Sequence, residues 1–298
     1  MTSPNILVVM GSSPDSYYLG CGRRHIVENM SASFTKHANS ELNVSMTSWI
    51  SMGKTLENWV DFNIATGDYH FNASLEKGIL DHLSGANGKI AANFVSFPDD
   101  ADPSHYFVKG KNEGAWSANL AMYFIEGLTE LKQGIPNFDQ NIMGILFGQG
   151  KTHIYLFKGA FGAILDGDAE AKDHPLNKVC QEFDEGWCIE RGSTLCFYDS
   201  RYFFLKLKRP GNNAIQMRWN LPPNMGAKLA ELRQVAAQPD EMLALGEENE
   251  KWAQVASQRT NGEVAAHERV IASANRALAY TFGGVYVERG FGHRYMGM

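Results

Sequence analysis

Along the first 237 or so residues, short apolar runs rich in aromatic and β-branched residues alternate with clusters of turn residues, and each set of runs gives way to a stretch patterned at helical spacing. The pattern is clearest in the middle of the chain. From Asn93 the sequence reads NFVSFPDDADPSHYFVKGKNEGAWSANLAMYFIEGLTELKQG, and from Ile142 it reads IMGILFGQGKTHIYLFKGAFGAILDGDAEAKDHPLNKVCQEF. Each predicts a short strand ending in an aromatic, a tight turn, a second strand opened by His, a short third strand and a helix. The turn segments SSPDS, PDDADPS, GQGKT and YDS supply the Gly, Pro, Asp and Ser that tight turns require. Leu120, Tyr123, Phe124 and Leu128 mark one apolar helix stripe, and NLPPNMGAKLAEL predicts a helix start with Asn220 as its cap.

The same order recurs from Asn5, Val44 and Ser193, which gives about five units of roughly 48 residues. The residues that open the second strand are Ser16, Asn58, His105, His153 and Arg201, with gaps of 42, 47, 48 and 48. Three short strands and one helix bury their apolar faces poorly alone, so neighbouring units must cover them. The fold class expected is α+β and repeat-built: about five β-β-β-α units closed into a propeller-like pseudo-fivefold ring that removes exposed edges, with an open array or two packed sub-domains as alternatives. The unit boundaries are 1–42, 43–88, 89–139, 140–185 and 186–238. Residues 239–298 read as a helical extension with a break at Asn261-Gly262 and a stripe at Val264, Ile271, Ala274 and Leu278. That extension packs back on the repeats or joins a second subunit, and Val285 to Glu288 reads as a strand.

Composition narrows the partners. The net charge of −6 carries no footprint for nucleic acid or an anionic membrane surface. The apolar run Ile6 to Met10 is too short and too weakly flanked for a signal peptide, and no segment is long enough for a membrane span. A cytoplasmic, soluble protein is expected, with Cys21, Cys180, Cys188 and Cys196 as reduced thiols. The spacing of eight between the last three cysteines matches no zinc motif, and neither a metal nor a cofactor is expected.

Two segments resemble known chemistry without its context. GILFGQGKT has five residues between Gly144 and Gly150, and its Lys-Thr leads into a strand, whereas a phosphate loop opens a helix. It reads as a hairpin turn. DGDAEAKD from Asp166 lacks the glycine and bidentate glutamate of a calcium loop. Trp116 and Trp219 both end a third strand, which points to packing rather than a ligand platform.

Ser16, Asn58, His105, His153 and Arg201 would share one rim or the axial mouth of a ring. They are polar and differ between units, as a binding site would require; exposed hairpin ends would also be polar. In a site, His105 and His153 would be an acid–base or ligand-orienting pair, Arg201 would hold an anionic or carbonyl group, and Asp15 and Asp199 would orient them. Three functions follow: a binding or interaction module with a small-molecule or protein partner; a cofactor-independent isomerase, cyclase or acid–base enzyme with its pocket on the ring axis; or a carbohydrate-binding propeller of the lectin kind, against which the differences among the five positions count. A homo-oligomer formed through the C-terminal helix is also expected.

The hairpins at FPDDADPSHYF and YDSRYFF resemble those of uncharacterised repeat proteins of filamentous fungi, over residues 1 to about 237. That resemblance implies no activity, cofactor or catalytic residue. In element order the unit is similar, after a cyclic shift, to that of the α/β-propeller (pentein) class. The catalytic Cys–His pairing of pentein enzymes is carried over to no residue here.

Overall fold

The computed structural model describes residues 4–260, apart from residues 87, 112, 117–119 and 213. The stripe from Val264 to Leu278, the break at Asn261-Gly262 and the strand at Val285 lie outside the described residues. Among the described residues the fold is mixed α+β, with seven α-helices and five small antiparallel sheets. No helix there is long and apolar enough to cross a membrane.

Each of the first four sheets is a three-stranded meander followed by helix. The first holds β1 (Ile6–Met10), β2 (Tyr17–Cys21) and β3 (Arg24–Glu28), followed by α1 (Ala32–Ser40), whose start is capped by the Ser31 hydroxyl. The second holds β4 (Thr47–Met52), β5 (Trp59–Asn63) and β6 (Tyr69–Phe71), followed by α2 (Lys77–Ser84). The third holds β7 (Phe94–Ser96), β8 (Phe107–Lys109) and β9 (Gly114–Trp116), with α3 (Met122–Gly134) and α4 (Phe138–Asn141) after it. The fourth holds β10 (Ile142–Phe147), β11 (His153–Phe157) and β12 (Phe161–Ile164), then a 3-10 turn and α5 (Pro175–Glu182). Gly148 to Thr152 is therefore the β10–β11 hairpin turn, and Gly150 supplies its positive φ of 63°.

The fifth sheet departs from this plan. Its first strand is split into β13 (Cys188–Ile189) and β14 (Thr194–Leu195), which pair with opposite ends of β15 (Phe203–Lys208). A strand has only two edges, so these two share one edge while β16 (Ile215–Asn220) runs along the other. Then come α6 (Pro223–Ala236) and α7 (Pro239–Thr260). Asn220 does not cap α6. It ends β16, its side chain donates to the Arg201 carbonyl at 2.8 Å, and Pro222 takes the cap position. Cap preference is overridden because the β15–β16 ladder extends to its last residue.

Alternation along the strands explains the burial. In β1, Ile6, Val8 and Met10 pack with Met225, Leu229 and Leu232 of α6, while Leu7 and Val9 pack with Phe34 of α1 and Trp59 of β5. Helices thus wedge between successive sheets: α1 between the first and second, α3 between the third and fourth, and α6 between the fifth and first. In the α3 stripe Phe124 and Leu128 are buried and Tyr123 is exposed. The first strands also touch pairwise: β1 with β4, β4 with β7, β7 with β10, β10 with β14 and β14 with β1.

The bulge between β13 and β14 ties the sheets together. Arg191 donates from Nη1 to the Asn93 carbonyl and side chain at 3.1 and 2.9 Å, and from Nε and Nη2 to the Met143 carbonyl at 3.0 and 2.7 Å. Lys206 Nζ donates to Asn5 Oδ1 at 3.1 Å, and Asn5 Nδ2 donates in turn to the Val44 and Thr47 carbonyls at 2.7 and 3.0 Å. Only glycine fits at 192, where φ is +83° and a Cβ would lie 2.6 Å from the Ser48 carbonyl oxygen. At the far end of the described chain, α7 is joined to the β2–β3 turn by Arg23–Glu248 and Arg24–Glu241.

Burial pushes Lys206 down from the ordinary lysine value of 10.5 to about 7. Between those values the unfolded chain holds a proton that the folded chain has released, so this lysine makes stability rise with pH over that window. The slope approaches about 1.4 kcal/mol per pH unit. Denaturant unfolding at intervals from pH 7 to 10 is expected to show this component in the wild type and its loss in Lys206→Met. Equal slopes in both proteins would exclude a buried lysine of depressed basicity.

Candidate functional site

The candidate residues fall at different levels of their hairpins. Ser16, Asn58 and His105 each donate their backbone N–H to the carbonyl three residues earlier, at 3.0, 2.8 and 3.2 Å. In the fourth and fifth sheets that bond belongs to Thr152 and Tyr202, both at 3.1 Å. His153 therefore lies one residue after the equivalent position and Arg201 one before it. The turns differ in length, so matching by residue type missed the hydrogen-bond register, and a one-residue slip turns a strand side chain to the opposite face.

Each side chain has local partners. The Ser16 hydroxyl is buried and donates to the Asn29 carbonyl at 2.9 Å. Asn58 is buried behind its turn, where its carbonyl accepts from Gly53 N–H at 2.7 Å. His105 Nδ1 pairs with Asp100 at 2.7 Å, and its Nε2 lies 3.6 Å from Asp102. Arg201 is exposed and held by Asp199 at 2.6 Å; the Asp15 carbonyl accepts from Asn29. His153 is buried. Its Nδ1 faces the Lys151 carbonyl at 2.7 Å, which can only accept, so Nδ1 carries the hydrogen and Nε2 accepts from the Tyr155 hydroxyl at 2.9 Å. This tautomer leaves His153 neutral with both nitrogens engaged. The two histidines are partners of different groups.

One cavity brings part of the set together. A space of about 160 Å³ lies between the 98–100 loop, the start of α3 and the β10–β11 hairpin. Asp99, Asp100, Tyr123, Phe124, Lys151 and His153 are among its walls. Ser16, Asn58 and Arg201 do not line it, and His105 reaches it only through its partner Asp100. Of the polar walls, Asp99 accepts from Gly150 N–H at 2.8 Å and pairs with Lys54 at 2.9 Å, while exposed Lys151 places Nζ 5.3 Å over the Tyr123 ring. Phe124 meets His153 edge-on at 5.0 Å. Met122 and Tyr123, 67% and 43% exposed, open α3 beside it.

The space between the first strands is smaller. Ser51, Phe94, Ser96, Leu146, Gly192 and Leu195 are among the residues around about 30 Å³, room for a water or two. None of the five candidate positions lines it. The four cysteines are unpaired, and burial raises the thiols of Cys21 and Cys180 to about 12, so they are not nucleophiles near neutral pH. Trp219 stacks on Phe204 at 6.1 Å beneath the Arg233 guanidinium.

The structure also assembles a group that spacing did not reveal. His37 of α1, Asp61 of β5 and His70 of β6 bring their ligand atoms within 4.8 Å of one another. The signal in the sequence was slight: an acid within the apolar strand WVDFN, on the same face as Trp59 and hence beneath a helix. With the geometry in place, comparison with known proteins adds nothing: no family model, no curated protein and no solved structure matches the chain.

Burial holds His153 at about 4, below the ordinary value of 6.5. The unfolded chain binds the extra proton first, so this contribution to stability is complete above pH 6.5 and is lost as pH falls through about 4. Replacing His153 by Gln is expected to flatten that part of the acid limb in thermal unfolding between pH 7 and 4. An unchanged limb would mean that His153 is protonated or exposed in the folded protein.

Proposed function

We propose that the sheets are five copies of one β-β-β-α unit, closed into a propeller-like pseudo-fivefold ring with a helical extension from residue 239. The pairwise contacts of the first strands, from β1 through β4, β7, β10 and β14 back to β1, support this reading. So does the wedging of α6 between the fifth and first sheets. On this reading the boundaries fall near 42, 88, 139, 185 and 238. Unpaired cysteines support a reducing, intracellular compartment.

The function best supported is a small-molecule binding module whose ligand sits at the rim between the third and fourth units. The observation that carries it is the cavity of about 160 Å³ with a polar wall of Asp99, Asp100 and Lys151 opposite the rings of Tyr123, Phe124 and Phe147. A dry cavity of about this volume holds one benzene ring. The fitting ligand is therefore a compact molecule with a flat apolar part and one or two hydrogen-bonding groups. Acid–base catalysis on the ring axis is the weaker reading, because the space there is about 30 Å³ and His153 has both nitrogens engaged.

A library of phenol, aniline and benzylamine fragments tests this. Some members are expected to raise the midpoint of thermal unfolding and to perturb amide signals of residues 99–100 and 120–124. Ala121→Phe, at the exposed start of α3, should fill the cavity and abolish both effects while leaving unliganded stability within about 1 kcal/mol. Fragments that bind neither protein, or both equally, would remove the rim site.

A further inference from the structure

We infer that His37, Asp61 and His70 form a binding site for a divalent transition cation of the zinc type. Asp61 lies in the middle of β5 and is 1% exposed. A carboxylate there is costly unless it is paired. Its two oxygens face two imidazoles: Oδ2 faces His37 Nε2, and Oδ1 faces His70 Nδ1 at 2.9 Å. His70 is the direct ladder neighbour of Asp61 across β5 and β6, and α1 brings His37 down onto the same face. Three elements thus bring three ligand atoms within 4.8 Å of one another.

The donor set selects the kind of cation. Two imidazole nitrogens and one carboxylate suit zinc, iron(II) or cobalt(II), whereas calcium and magnesium prefer all-oxygen shells. Metal bonds of about 2.1 Å in a tetrahedron place ligand atoms about 3.4 Å apart. Both Asp61 oxygens stand closer than that to their imidazoles and the trio lies within 4.8 Å, so a cation entering between them requires only a small opening of these pairs.

The surroundings are those of a metal site's supporting shell. Glu41 lies 3.3 Å from His37 Nδ1 and accepts its hydrogen, so a cation that replaces the proton between Nε2 and Asp61 meets the Nε2 lone pair. The His37 ring is stacked on Trp59 at 5.0 Å and 19°, which holds its orientation. A metal-bound imidazole is neutral, so with a cation in place Asp61 and Glu41 supply two negative charges that a divalent ion balances. His70 is 29% exposed, so one side of the site opens to solvent for entry and for a fourth ligand such as water. The alternative occupant is a proton, held on one imidazole and shared with Asp61.

Titration of the full, chelator-treated chain with Zn²⁺ at pH 7.5, followed by calorimetry and by the visible absorption of a Co²⁺-loaded sample, separates the two. One cation per chain is expected, with a cobalt spectrum of low coordination number and a higher midpoint of thermal unfolding. His70→Ala, at the partly exposed member, should weaken binding at least a hundredfold and abolish the spectrum. Glu41→Gln should weaken binding about tenfold, because the neutral amide accepts from His37 without the negative charge that strengthens the supporting hydrogen bond. His25→Ala, which lies outside the trio, should change nothing. If His70→Ala fails to fold, the Glu41→Gln result decides, because that side chain is largely exposed. No saturable binding, or equal binding by wild type and both variants, would overturn the site in favour of the shared proton.

Discussion

Two basic side chains of the fifth sheet region, partly buried Arg191 between β13 and β14 and buried Lys206 of β15, link this sheet to the others. Arg191 spends its guanidinium on Asn93 and the Met143 carbonyl, and so joins the fifth sheet to the third and fourth. Lys206 reaches Asn5, whose amide passes the connection on to Val44 and Thr47 at the start of the second sheet. Both depend on the split first strand. The chain leaves the ladder after Ile189, turns through Gly192 and returns at Thr194, which frees Arg191 to point across the molecule. Side chains in such positions cost stability through desolvation and repay it by fixing which sheet meets which.

The packing of helices follows from that arrangement. Each sheet is too narrow to form its own core, so α1, α3 and α6 each serve two sheets at once. What lies at the periphery is then set by loops. The cavity beside Phe124 lies where the 98–100 loop of the third sheet and the β10–β11 hairpin of the fourth leave a gap at the tip of α3. The His37–Asp61–His70 trio sits deeper, under a helix, where a side chain is held by packing rather than by a loop.

Much of the element order was legible because period-two alternation and turn chemistry are local. HIYLF and RYFFLKLK read as strands, and the GQGKT turn excluded a phosphate loop, without any tertiary information. Register was not legible, since it depends on turn length: Thr152 and Tyr202, rather than His153 and Arg201, hold the positions that match Ser16 and Asn58. The split of the fifth first strand was hidden because CIERGSTL carries no pairing signal until β15 is beside it. Asn220 kept a strong cap propensity and lost to a ladder. The histidine–aspartate trio required α1 to fold over β5, which no spacing of 24 and 9 residues announces.

Hydrogen exchange measured peptide by peptide is the most direct test of the proposed ring. In a closed ring tied through Arg191 and Lys206, the amides of β1, β4, β7, β10 and β14 are expected to exchange together by one global opening, and Arg191→Ala should accelerate all five equally. Protection that decays stepwise from β1 toward β14, or a loss confined to the third and fourth sheets in Arg191→Ala, would contradict closure and leave an open array of sheets.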